Sequence, residues 1–282
     1  MTLVPFADRL GALALSRSLL VVGIDPDEKT LAHWNLPATA QGARSFALGL
    51  LDAVGEHAAL FKPQVAFFER FGIEGLTVLL EVQNRIREAG ALVLSDAKRL
   101  DIDSTFAAYA KAWLGEDAPF ASDAVTVGAY MGAESLDVMF QRAALTGTGV
   151  FPVVRSSNPG GIVLQNARLE DGRTIAESLA DAITAFNASV APGTIGPAGA
   201  VIGATLEDAA SVLERLPYSY YLAPGIGAQG ATVADIGIRF GADAARRALP
   251  SVSRAVAHAG PSSNALKDAV EKLKAETFAL QN

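Results

Sequence analysis

The sequence predicts an α/β chain folded as a (β/α)₈ TIM barrel, and three observations carry that expectation. Eight short aliphatic runs alternate with eight helical stretches, the pattern of a parallel sheet joined by right-handed crossovers. At 282 residues the chain has the length of one such barrel. Charged and polar residues gather where the aliphatic runs end, the rim at which barrels of this kind carry their sites. A doubly wound open sheet is the alternative with the same alternation. No domain boundary, low-complexity tract or heptad repeat interrupts the pattern, so one barrel domain is expected over 1–282.

Taken in order, a first helix is expected over 5–16, and a buried strand at 19–25 ends in Asp25-Pro26. A helix over 43–58 leads to the run at 60–68. There Pro63 leaves a short strand with an irregular continuation, because proline cannot donate to a ladder. A helix over 75–89 closes on Gly90 as C-cap, and the strand Ala91-Leu-Val-Leu94 follows. The next helix, 104–114, takes Ser104 or Asp103 as its cap. A strand at 123–128, a helix at 135–144 and a strand at 149–154 precede an irregular segment, 158–173, long enough to be a functional loop. A helix at 175–190 and a turn-rich insertion at 192–197 come next. Strands at 200–204, 220–223 and 252–256, with helices at 206–216, 232–240 and 264–280, complete the chain.

Composition narrows the function. The net charge of −7 repels a phosphate backbone overall, so nucleic acid is not an expected partner. A small anion remains open, because a few cations at contact distance outweigh a diffuse field. The absence of cysteine excludes disulfides, thiol nucleophiles and cysteine-ligated metal sites. Residues 1–9 lack the basic and apolar regions of a signal peptide, and no apolar run reaches membrane-spanning length, so a cytoplasmic protein is expected. His33, His57 and His258 are scattered and read as surface or packing residues. Phe67, Phe68 and the tyrosines of 218–221 read as core and dimer-surface aromatics. Residues 199–203 carry no dinucleotide fingerprint, and no Gly-x-Ser-x-Gly elbow occurs.

The chemistry centres on Ser95-Asp-Ala-Lys-Arg-Leu-Asp-Ile-Asp-Ser-Thr105. Side chains alternate along a strand, so Asp96 and Lys98 point to one side, and Asp101 falls just past the strand. Two carboxylates and an ammonium in six residues are costly to bury, which marks a site more often than a fold device. A structural ion pair at a strand end is the plainer reading of that stretch alone. Other strand ends add Asp25, Lys62, Ser156 and Ser157. Gln229 sits in the glycine-rich loop Pro224-Gly-Ile-Gly-Ala-Gln-Gly230, and Arg254 is expected on the eighth strand. Exposed backbone N–H groups beside a forked guanidinium suit a phosphate at the position where barrels often bind one. Ser262 and Ser263 are expected to cap the last helix there.

Together, Phe61-Lys-Pro-Gln-Val-Ala-Phe-Phe-Glu69, Ser95-Asp-Ala-Lys-Arg-Leu-Asp-Ile102 and Pro224-Gly-Ile-Gly-Ala-Gln-Gly230 resemble the orotidine 5′-phosphate decarboxylase family, in the branch with Arg155-Ser-Ser-Asn-Pro-Gly160 after strand five. The resemblance runs from Gly23-Ile-Asp25 to Arg254. It implies a homodimeric barrel with shared active sites that converts orotidine 5′-phosphate to uridine 5′-phosphate and CO₂ without metal or organic cofactor. By the same resemblance Asp25 and Lys62 hold the ribose, Asp96 faces the departing carboxylate, and Lys98 stabilises and protonates the C6 carbanion. Asp101 and Thr105 reach into the partner's site, Ser157 binds the pyrimidine, and Gln229 and Arg254 grip the phosphate. Leu100 and Asp103 depart from the family, which usually has glycine there, and Leu100 is expected to pack into the dimer interface. The rivals are a related Mg²⁺-dependent sugar-phosphate lyase or synthase and a catalytically silent phosphate-binding barrel.

Overall fold

Eight parallel strands close on themselves in the computed structural model of the chain, which describes residues 3–227 and 229–281. The strands are β1 (Val21–Ile24), β2 (Leu60–Pro63), β3 (Leu92–Arg99), β4 (Ala124–Val127), β5 (Gly149–Arg155), β6 (Ala200–Ile202), β7 (Tyr221–Pro224) and β8 (Ala248–Val252). Their spatial order is their chain order, and β1 pairs with β8 to complete the barrel. Met1, Thr2, Ala228 and Asn282 lie outside the described residues, so the glycine-rich loop is described without Ala228.

The two-residue period of a strand divides the apolar side chains between two cores. Val21, Leu60, Leu92, Leu94, Ala124, Phe151, Val201, Leu222 and Leu249 fill the barrel interior. Their neighbours Val22, Phe61, Val93, Val125, Val150, Ala200, Tyr221 and Ala248 face outward against the helices. The helix Phe6–Arg17 plugs the amino-terminal end of the interior with Phe6, Leu10 and Ala14, and Phe6 meets Phe151 edge-on at 6.0 Å. Two residues further along three strands, the interior positions change character: Lys62 follows Leu60, Asp96 follows Leu94, and Thr126 follows Ala124. The barrel is therefore apolar below and polar at its carboxyl mouth.

Most expected elements are present, with informative exceptions. The helix at 175–190 is found as Ile175–Val190, started by a reciprocal Thr174–Glu177 capping box. Gly90 takes its expected turn after the helix Gly72–Glu88, with φ at +69°. The last strand is displaced: it is Ala248–Val252, and Arg254 opens the short helix Arg254–Ala257 instead of lying on a strand. Pro250 hides that strand from a sequence reading, since proline is uncommon within sheets, yet it pairs in register with Ala223 of β7. The segment 158–173 is not wholly irregular, because Pro159–Gln165 is helical with proline at its first turn. The expected helix over 206–216 contracts to Ala210–Leu213. Neither Ser104 nor Asp103 caps the helix Asp103–Trp113; Ile102 occupies the cap position, and its N–H is taken by the Asp101 carboxylate at 2.9 Å.

Candidate active site

Lys62, on β2, and Asp96, on β3, point into the mouth because they continue the interior rows of Leu60 and Leu94. Their side chains are only 6% and 8% exposed, and Lys62 Nζ donates to Asp96 Oδ2 at 3.1 Å. Asp25, one residue past β1, lies 3.8 Å from the same ammonium. Lys98 donates to the other Asp96 oxygen, Oδ1, at 2.5 Å, but its side chain is 51% exposed and its ammonium faces the cavity.

Two neutral groups complete the environment of Asp96. Gln64 Nε2 donates to Oδ2 at 2.8 Å, and the Thr126 hydroxyl donates to Oδ1 at 2.7 Å. Each carboxylate oxygen thus receives one ammonium and one neutral donor. Burial alone would raise the Asp96 pKa, but the Lys62 and Lys98 charges, with hydrogen bonds from Lys98 and Thr126, outweigh it and hold the carboxyl well below the usual range. For Lys62 burial pulls the pKa down, and the charges of Asp25 and Asp96 more than reverse that, leaving it raised. Asp96 and Lys62 are therefore both ionised at neutral pH.

The array lines a cavity of about 300 Å³ at the carboxyl ends of the strands. Asp25, Lys62, Gln64, Asp96 and Lys98 form one side, and Gly225, Gln229, Ser253 and Arg254 the other. Gly225 adopts φ +116°, and an added Cβ there would come within 3.1 Å of Gln229 Oε1, so the loop after β7 needs glycine at that position. Ser157 donates its hydroxyl to Gln229 Oε1 at 2.8 Å, tying the loop after β5 to the loop after β7. Arg254, though not on a strand, begins a helix two residues past β8 and reaches the same cavity. Lys62, Lys98 and Arg254 face Asp25 and Asp96 there, a local cationic excess within a chain of net charge −7. The cavity therefore suits a small anion.

The structure brings together Asp25, Lys62, Asp96, Lys98, Gln229 and Arg254, and joins Ser157 to them through Gln229. Asp101 and Thr105 do not line the cavity; Asp101 is half-buried and Thr105 exposed. Leu100 rests on Gly128 of the same chain, where an added Cβ would lie 3.2 Å from its own. Asp103 has φ +47°, a backbone conformation that glycine adopts more readily. Gln64 and Thr126 were not among the expected site residues. The two-residue period from Lys62 and from Ala124 was the available signal for them. Arg155 of the Arg-Ser-Ser-Asn-Pro-Gly run is buried and paired with Asp208 at 2.7 Å, so it anchors the loop while Ser157 reaches the site. The histidines lie elsewhere: His33 stacks on His258, and His57 pairs with Glu271. Among the described residues no group of three or more His, Asp or Glu side chains is placed to hold a metal ion.

Residues 18–269 match the model of the orotidine 5′-phosphate decarboxylase / HUMPS family. The chain is 46% identical to the orotidine 5′-phosphate decarboxylase of Myxococcus xanthus over 269 residues, 95% of this chain and 93% of that protein. It is 43% identical to the enzyme of the same name from Corynebacterium glutamicum over 274 residues, 96% of this chain and 97% of that one. Among solved structures, the OMP decarboxylase of Leishmania donovani superposes with a TM-score of 0.78 at 33% identity, covering 98% of this chain and 100% of the other.

Proposed function

The chain belongs to the orotidine 5′-phosphate decarboxylase / HUMPS family, and from that premise we propose how its cavity carries out the reaction. The protein is a carboxy-lyase that converts orotidine 5′-phosphate to uridine 5′-phosphate and CO₂, a step of pyrimidine biosynthesis. The observation that carries the mechanistic reading is the shared carboxylate: Asp96 is held between the Lys62 and Lys98 ammonium groups inside a cationic mouth of about 300 Å³.

Arg254 and Gln229 bind the phosphate, aided by the glycine loop, while Asp25 and Lys62 hold the ribose hydroxyls and Ser157 meets the pyrimidine. That leaves the C6 carboxylate directed at Asp96 and Lys98. The bond from C6 to the carboxylate carbon breaks, the electron pair stays on C6, and CO₂ departs. This carbanion has no adjacent electron sink, so a preplaced cation is the most direct stabiliser, and Lys98 supplies that charge and then the proton. Asp96 holds the Lys98 ammonium in place before substrate binds. Phosphate binding at the far side of the cavity provides free energy that can be used to align the reacting end.

Asp101 and Thr105 lie outside their own cavity, which supports the reading that they complete the site of a partner in a homodimer, with Leu100 at that interface. No helix among the described residues is long and apolar enough to cross a membrane, which fits a cytoplasmic enzyme. The test is the absorbance of orotidine 5′-phosphate with purified protein in EDTA. Rapid conversion to uridine 5′-phosphate is expected. No conversion by folded protein, or conversion that requires added Mg²⁺, would overturn the mechanism.

A further inference from the structure

The ladder between β3 and β4 is broken where the reacting groups sit. Ser95 pairs with Val125 and Arg99 with Val127, so Asp96, Ala97 and Lys98 bulge out opposite the single residue Thr126. Within that bulge Lys98 has φ +45°, a left-handed conformation that L side chains resist. Its N–H has lost a ladder partner and donates to Thr126 Oγ1 at 3.1 Å. The same hydroxyl donates to Asp96 Oδ1 at 2.7 Å. An ionised carboxylate only accepts, so the hydroxyl hydrogen must point to Asp96, leaving a lone pair for Lys98. Thr126 is wholly buried, so bulk solvent offers neither group a substitute.

We propose that the Thr126 hydroxyl is a positioning group for the reaction, holding the Lys98 backbone and the Asp96 carboxylate in one fixed relation. The Lys98 side chain is half-exposed, so packing does not fix its ammonium. What fixes it is its backbone at one end and Asp96 at the other, and Thr126 is bonded to both. The relay runs one way, from peptide N–H to hydroxyl to carboxylate, so each bond polarises the next. This inference deepens the decarboxylase reading and rests on it.

The test compares Thr126→Val, which keeps the shape and removes the hydroxyl, with Thr126→Ser, which keeps the hydroxyl. A displacement of about 1 Å in a reacting group can cost about 10²-fold, so Thr126→Val is expected to lower kcat by about 10- to 100-fold. Affinity for uridine 5′-phosphate should change by less than about twofold, and Thr126→Ser should recover kcat to within about threefold of the parent. If valine fails to fold, Thr126→Ala takes its place. The proposal is overturned by a hydroxyl-free variant that keeps its kcat, by equal losses of kcat and nucleotide affinity, or by serine performing no better than valine. A crystal structure of the hydroxyl-free variant gives a second readout independent of turnover. Lys98 should leave the left-handed region or Asp96 should rotate, and neither moving would sink the relay. Absence of turnover in the parent protein would instead count against the decarboxylase reading.

Discussion

At the scale of single residues, Asp96 and Lys98 carry separate roles in the proposed reaction, and each role can be tested. Lys98 is the more exposed of the two ammonium groups on Asp96, so Lys98→Ala should lower kcat by at least roughly 10³-fold while uridine 5′-phosphate still binds. Equal loss of binding would show that Lys98 anchors the nucleotide and does not act on the reacting carbon. Asp96 carries a stability consequence as well, since removing it leaves buried Lys62 with only the more distant Asp25. Asp96→Asn is expected to cost about 3 kcal/mol at neutral pH, measured by denaturant unfolding. The sign of its pH dependence follows from its lowered native pKa. The unfolded chain takes up the proton first, so the stabilisation is complete above about pH 4 and is lost as pH falls through the lower native value. The stability gap between parent and Asp96→Asn should therefore narrow below about pH 4, and a gap independent of pH would contradict the assignment.

At the scale of elements, regular structure gives way at the carboxyl mouth where the charged array sits. β3 pairs regularly with β4 up to Ser95 and then gives up its register, and Asp96 and Lys98 are two of the three bulged residues. The supporting helices are started by local signals that can be altered without touching the site. The Thr174 and Glu177 side chains each accept the other residue's backbone N–H at the start of Ile175–Val190, a helix packed on the outer face of the barrel. Thr174→Ala should lower global stability by about 1 kcal/mol with kcat unchanged. A fall in kcat without a fall in melting temperature would mean that the helix reports to the cavity through the loop after β5.

At the scale of the whole molecule, the barrel is apolar inside its lower half and polar at its upper rim. Asp101 and Thr105 sit on that rim but outside the chain's own cavity. A two-fold symmetric dimer with exchanged side chains predicts complementation. Lys98→Ala and Asp101→Ala protomers, each inactive alone, should regain activity when unfolded and refolded together, because each hybrid dimer contains one unaltered site. Random pairing predicts recovery of about a quarter of the parent activity. Recovery of none would mean that each site is built from one chain.

Much of this was legible in the amino-acid order. Eight aliphatic runs in alternation with helices specify eight parallel α/β units because strand and helix periods are local properties, and the same period places Lys62 and Asp96 on one side of their strands. The charged array could be named for a related reason: burying opposite charges together is costly, so their density at a strand end carries information. What the chain order could not express is which partners close on those charges. Gln64 and Thr126 meet Asp96 across gaps of 32 and 30 residues, and whether they do depends on the register among β2, β3 and β4. The left-handed Lys98 depends on that same register. Pro250 sits within β8 against its propensity because barrel closure supplies pairing that local sequence does not report. Local chemistry marked the charged array, and cross-strand hydrogen bonding, which exists only once the strands are side by side, set its geometry.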